Sequence, residues 1–163
     1  MDVTLERIKA EDKPVLERLM ELYLYEFSQF SGDDLDEDGR YGYRYLDAYW
    51  TEAGRFPYLI RADGKIAGFA LVCPYCHYRQ EADARSIGEF FIMLKYRGQG
   101  AGASAAAQVF DLHPGLWEVT FWNNNRPARA FWTKIITRYT NGDYTLCGTE
   151  KDREQGFLFN NGG

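Results

Sequence analysis

Apolar and polar residues alternate through 2–8, "DVTLERI", the period of a strand with one buried face. The period then changes. Over 11–30, Val15, Leu19, Leu22, Tyr23 and Phe27 recur at helical spacing, with Asp12 placed to cap the helix and Pro14 in its first turn. Residues 42–54, "GYRYLDAYWTEAG", predict a second helix closed by Gly54. "FPYLIRADGKIAGFALVCPYCHY" reads as two strands joined at Asp63-Gly64, a strong hairpin signal. A strand at 85–94, a helix at 100–112, a strand at 116–122 and a helix at 125–139 with Pro127 in its first turn follow. "YTLCGT" and "QGFLFN" finish the chain as short strands. The order β-α-α-β-β-β-α-β-α-β-β predicts an α/β fold, its mixed sheet parallel around 85–122 and flanked by about four helices. No repeat or linker divides it, so 1–163 reads as one domain.

With 163 residues and 45% apolar composition, the chain can bury a real core. No apolar run approaches the ~18 residues of a membrane span. "MDVTLERIKAEDK" at the start is charged rather than apolar, so no secretory signal is expected and the cytoplasm is the default. A net charge of −5 argues against a nucleic-acid surface. Part of the acid lies in "GDDLDEDG" (32–39), which reads as a solvated loop; the alternative is a rim that attracts cationic substrates. Three cysteines are an odd number, unsuited to a disulfide framework. Cys73 and Cys76 form a C-x-x-C, but it lies in a strand-like run with Pro74 inside it, and only two histidines exist to complete a metal site. An incidental role is expected.

The chemistry concentrates at 95–111, "KYRGQGAGASAAAQVFD", where small residues lie between a predicted strand and a predicted helix. The first N–H groups of a helix have no intrahelical acceptors, and they sit at the positive end of its dipole. Glycines let an anion approach them without a Cβ in the way. Gly98, Gly100 and Ala103 fit a dinucleotide fingerprint, but that motif belongs after a first strand, and this one follows about four. A P-loop fails because no G-K-[ST] follows. The remaining spacing is R-x-x-G-x-G, carried by Arg97, Gly100 and Gly102.

Here the sequence resembles the GNAT superfamily of acyl-CoA-dependent N-acyltransferases. "FFIMLKYRGQGAG" is similar to its strand–pyrophosphate loop–helix motif, and Asn125, Ala128 and Phe131 of "NRPARAFW" match its N-x-x-A-x-x-F-Y pattern. "GEFF", "KYR", "WEV" and "FW" also resemble a group of bacterial predicted acetyltransferases. The resemblance implies a sheet splayed at the cofactor strand and acetyl-CoA as cosubstrate. It implies main-chain contacts to the cofactor arm from Phe91, Ile92 and Met93, with one N–H polarising the thioester carbonyl. It further implies pyrophosphate contacts from the N–H groups of Gly98, Gln99, Gly100, Ala101, Gly102 and Ala103, with Arg97 and Lys95 adding charge, and an arm contact from Asn125. Ala103 stands where many relatives carry a basic residue.

Direct transfer needs a neutral amine, and an alkyl ammonium titrates near about 10.4, so a base is expected. Glu89 is the candidate, at a position where relatives often carry an acid. Strand parity puts it with Phe91 and Met93 on one face, opposite Phe90 and Ile92. Trp132 replaces the tyrosine that serves relatives as general acid; it is expected to border the cofactor, while Tyr139, Tyr144 or Tyr78 supplies the acid, Tyr139 being the one chosen. The acceptor is expected to be a small-molecule or peptide amine in an aromatic pocket beside the acidic loop. The alternatives are a non-catalytic acyl-CoA-binding or sensing domain, which Trp132 favours, and transfer to an alcohol. Exposed sheet edges leave room for a homodimer.

Overall fold

The computed structural model describes all 163 residues. The chain builds β1 (Val3–Arg7), α1 (Lys13–Ser31), α2 (Ala48–Thr51), β2 (Phe56–Ala62), β3 (Lys65–Cys73), β4 (Arg85–Ile92), α3 (Ala101–Leu112), β5 (Leu116–Trp122), α4 (Arg126–Thr140), β6 (Thr145–Cys147) and β7 (Glu154–Asn160). All seven strands form one sheet in the order β1-β2-β3-β4-β5-β7-β6, antiparallel except where β4 meets β5. The α/β class with a mixed sheet is therefore as the sequence pattern gives it. At the β2–β3 turn both Asp63 and Gly64 have positive φ, as a two-residue hairpin of this hand requires.

Period-2 alternation divides the core between the two faces of the sheet. Leu59, Phe69, Leu71 and Phe91 pack under α1 and α2, against Leu16, Leu19, Met20 and Tyr49. Tyr58, Ile60, Ala70 and Val72 face the other way, onto α3 and α4, where Ala105, Ala106, Val109 and Ile136 meet them. The alanines let α3 lie close to the sheet. No helix is long and apolar enough to cross a membrane.

One element departs from the sequence pattern. The helix expected over 42–54 shrinks to α2, four residues capped at Glu52, and Gly54 belongs to the following turn with φ of 83°. The cause lies in α1. The Glu21 carboxylate accepts from the Tyr41 and Gly42 N–H groups at 2.7 and 2.9 Å, which straps this stretch along the long helix instead of letting it coil. The positive φ of Gly42 does the rest.

The β4–β5 pairing positions the site. It lasts for only two residue pairs, Arg85↔Trp117 and Ser86↔Glu118. Directly afterwards β4 carries a bulge: Leu71 faces Glu89 and Val72 faces Ile87, which leaves Gly88 without a partner. A bulge bends its strand, and this one turns β4 away from β5. Gly88 is also where the Tyr49 hydroxyl approaches most closely, since a Cβ there would lie 2.8 Å from it.

Glu118 holds the apex. It is 1% exposed, and its carboxylate accepts from the His77, Tyr78 and Arg79 N–H groups at 2.5, 2.8 and 3.0 Å. Arg79 in turn donates to the Trp117 and Phe159 carbonyls, so the loop between β3 and β4 is riveted to β5. Replacing Glu118→Ala would leave three N–H groups in the interior without an acceptor, and should cost about 3 kcal/mol or more in urea unfolding. A loss below about 1 kcal/mol would mean that the loop finds other anchors.

Candidate functional site

The divergence of β4 and β5 opens a cleft of about 830 Å³. Its walls are Glu89 to Ile92 of β4, Val119 to Trp122 of β5, the start of α3 and the inner face of α4. The end of α1 closes it on one side. Phe27 meets Trp122 edge to face at 4.8 Å, and the Asn124 side chain donates to the Phe30 carbonyl at 3.0 Å.

The glycine turn lies at one end. Gly98 and Gly100 have φ of 72° and 86°, the conformation that glycine tolerates best, and an added Cβ at either would meet nothing within 4 Å. Ser104 donates to the Gly100 carbonyl at 3.0 Å as the first bond of α3, and no side chain caps the helix. The N–H groups of Gly100, Ala101, Gly102 and Ala103 are therefore open donors. Gly102 has a second reason to be glycine: a Cβ there would lie 2.6 Å from the Phe131 ring of α4.

Arg97 lines the cleft, as the sequence reading expects. It donates from Nε to the Ile92 carbonyl at 2.7 Å and from Nη2 to Glu26 at 2.9 Å. Its charge is therefore already paired with α1.

The main-chain assignment on β4 is corrected. The Met93 N–H donates to the Ala67 carbonyl at 2.8 Å, so it points toward β3. Backbone direction alternates along a strand, so Phe91 turns the same way, and Phe90 and Ile92 turn to the opened edge. The main-chain groups of Ile92 and Phe90 thus face the opened edge, while those of Phe91 and Met93, expected there from the sequence, face β3. The signal was legible as parity, but choosing which parity faces the cleft requires the β3 register.

Glu89 and Tyr23 both line the cleft. One carboxylate oxygen of Glu89, Oε2, is sealed from solvent and has no hydrogen-bond partner. Burial raises its pKa to about 7, and the nearby Tyr23 hydroxyl is the one group that pulls it down. Tyr23 itself is raised well above the ordinary tyrosine value, first by burial and then by the Glu89 charge, so it stays a hydrogen-bond donor. Sequence reasoning assigned Tyr23 only to a helix face; nothing in the sequence brings it to Glu89.

Asn125 caps α4, its Oδ1 accepting from Ala128 N–H at 3.1 Å, which leaves its amide NH₂ as a donor without a protein acceptor. Trp132 is buried at the cleft wall, edge to face with Phe90 at 5.1 Å and Phe131 at 4.9 Å. The tyrosines named as acids are engaged elsewhere. Tyr139 donates to Asp111 at 2.6 Å and accepts from Asn161 at 3.0 Å, near the C-terminal end of α3 and a helix length away from the glycine turn. Its pKa is raised by burial and by Asp111. Tyr78 donates to the Glu154 carbonyl, and Tyr144 packs on Phe157. Tyr139 thus lines the far end of the cleft with its hydroxyl already donating to Asp111. Cys73 lies buried 3.2 Å from the Ser86 hydroxyl, and burial pushes the Cys76 thiol up to about 12.

A parallel strand pair that parts over a glycine-led helix is a recognisable arrangement, and the sequence agrees: the model of the acetyltransferase (GNAT) family matches residues 16–136. The chain belongs to the GNAT family. Solved structures share the GNAT fold over almost the whole chain. An acetyltransferase from Thermus thermophilus superposes with a TM-score of 0.71 at 15% identity, covering 98% of this chain and 97% of its own. The aminoglycoside acetyltransferase AAC(6')-Ib, solved with coenzyme A, gives 0.68 at 14%, covering 98% and 95%. PH1933 from Pyrococcus horikoshii OT3 gives 0.66 at 20%, covering 98% of each chain. No curated protein matches the chain by sequence.

The buried Glu89 links the site to stability. For an acid whose folded pKa is raised, the folded state keeps a proton that the unfolded chain has lost between about 4.5 and 7. Stability therefore falls as pH rises through that window, by about 3 kcal/mol in all. Glu89→Gln should gain stability relative to the native chain between about pH 4.5 and pH 8 by about that amount in urea melts. Tyr23→Phe should move the window upward, because it removes the downward pull. A stability difference independent of pH would show that Glu89 titrates like an exposed acid.

Proposed function

We propose that this GNAT protein transfers an acetyl group from acetyl-CoA to a primary amine by direct attack. The observation that carries the reading is Glu89: a carboxyl lining the cleft, with one oxygen sealed and unpartnered, whose pKa burial raises, on the strand whose Ile92 N–H opens into the cleft. A base with a pKa near the working pH suits the removal of an ammonium proton.

The residues divide the work as follows. The open N–H groups from Gly98 to Ala103 hold the pyrophosphate at the positive end of α3. Asn125 offers its free amide to the cofactor arm. The Ile92 N–H donates to the thioester carbonyl oxygen and steadies the charge that develops there. Glu89 accepts the amine proton, directly or through one water, and the amine nitrogen forms its bond to the carbonyl carbon. The carbon–sulfur bond then breaks as the nitrogen sheds its second proton to solvent, and the CoA thiolate departs, taking its own proton from solvent. A thiol titrates near about 8.5, so the thiolate leaves without a dedicated acid. The indole N–H of Trp132, which has no protein acceptor, can donate to it. Phe27, Phe30 and Trp122 line the approach to Glu89, which suits an amine of modest size. The same fold in an aminoglycoside acetyltransferase agrees with an amine acceptor.

The second reading, an acyl-CoA sensor, is favoured by the loss of all three candidate tyrosines to structural hydrogen bonds and packing. Two experiments decide. Acetyl-CoA in hundredfold excess over its dissociation constant should stabilise the fold by about 2.7 kcal/mol. Ala103→Glu should abolish that gain while leaving the ligand-free protein as stable, because an acid in the first turn suits the helix dipole and repels a phosphate. Ala103→Arg should tighten binding. A full thermal shift in Ala103→Glu would remove the glycine turn as the phosphate site.

Turnover separates enzyme from sensor. Glu89→Gln should lose ~10²–10⁴-fold in kcat at pH 7 with CoA affinity intact, and the loss should shrink as pH rises and the amine deprotonates unaided. Thiol release by neither protein across a panel of amines would support the sensor. Wild-type turnover in the variant would leave solvent as the base.

A further inference from the structure

We infer that Lys134 and Arg138 of α4 form a subsite for the 3'-phosphate of coenzyme A; this rests on the CoA reading of the cleft. The cleft does not stop at the glycine turn. It runs on between α3 and α4, with Ala103 and Ala107 as one wall and Phe131, Lys134, Ile135 and Arg138 as the other. Phe131 lies level with Gly102, so Lys134 follows one helical turn beyond the pyrophosphate position and Arg138 a turn beyond that. The two phosphate-bearing oxygens of the CoA ribose belong to one sugar, so an anion held at the glycine turn keeps the second one near this groove. The alanines of α3 leave room for the flat adenosine between them.

The charge pattern singles out the same two residues. Lys134 and Arg138 are exposed and form no ion pair or hydrogen bond within the protein. Of the cations that line the cleft, the third, Arg97, is paired with Glu26, while Arg126 and Arg129 lie outside it, on the outer side of α4. Like charges four residues apart on a helix repel. The helix dipole favours Arg138 in the last turn but does not call for a second cation a turn earlier. A dianion between them accounts for both. It also supplies unpaired cationic charge beside the glycine turn, where Arg97 is already paired with Glu26 and Ala103 is neutral.

The test compares CoA with 3'-dephospho-CoA by calorimetry at low salt. The native protein should bind CoA about tenfold more tightly, and the preference should fall as salt rises. Lys134→Ala with Arg138→Ala should erase the preference by weakening CoA alone, leaving 3'-dephospho-CoA within about twofold of its native affinity. Arg129→Ala, whose cation is already paired on the outer face of α4, should keep the preference. Equal binding of the two ligands by the native protein, or an undiminished preference in the double variant, overturns this subsite and leaves the CoA reading standing. Binding of neither ligand overturns both.

Discussion

The parting of β4 from β5 is the constraint on which the rest of the site depends. Two parallel strands at the middle of a sheet normally pair along their length, and leaving them unpaired exposes main-chain groups that need partners. Here the pairing ends at Ser86↔Glu118, and the next residue but one on β4 is the unpaired Gly88. The bulge turns the strand, and the buried Glu118 carboxylate fixes the apex by taking three N–H groups of the preceding loop. An interior carboxylate is tolerable only when it is so fully bonded. Opening the strands beyond the apex creates the cleft, frees the Ile92 edge, and leaves Glu89 in its lining. Geometry at the apex thus determines chemistry some residues away.

The crowd of small residues after β4 answers to two demands at once. Gly98 and Gly100 are needed for backbone conformation, and their surroundings are open. Gly102 is needed because α4 presses the Phe131 ring against it. Ala105 and Ala106 are fully buried against the sheet. Only the first pair is free of packing demands. The packing residues set the spacing of α3 and α4, and so the width of the groove that continues from the turn. Arg97, which the motif suggests as a phosphate cation, instead uses its guanidinium to join the turn to α1 through Glu26 and the Ile92 carbonyl.

The fold was largely legible because its elements are regular: a strand period at residues 2–8, a capped helical period after Pro14, an Asp-Gly hairpin, and a glycine turn leading into a small-residue helix. What failed was non-local. The helix expected after residue 42 was lost to Glu21, a residue some twenty positions earlier that takes two of its N–H groups. Glu89 was legible as a candidate through the family resemblance, but its neighbour Tyr23 sits on α1 and meets it only through the tertiary fold. The choice between Ile92 and Met93 turned on a single hydrogen bond to β3. Nothing in the sequence shows that the Tyr139 hydroxyl is taken up by Asp111 and Asn161. A side chain's face can be read from spacing; its hydrogen-bond partner cannot.

These details suggest a site arranged to manage one proton rather than two. Trp132 fills its place with a ring packed between Phe90 and Phe131, an apolar wall where a phenol would need a polar partner. On the acetyl-transfer reading proposed above, such a wall would need no acid, because a thiolate is a competent leaving group near neutral pH whereas an ammonium is no nucleophile at all. The difficult proton would be the one on nitrogen. The protein's one strongly raised carboxyl lies there, sealed on one side, with Tyr23 keeping its pKa from climbing beyond the range in which it can still act as a base. Burial raises the affinity of Glu89 for a proton, and the tyrosine hydroxyl limits that rise; the balance between the two is what puts a carboxylate in position to take a proton at neutral pH.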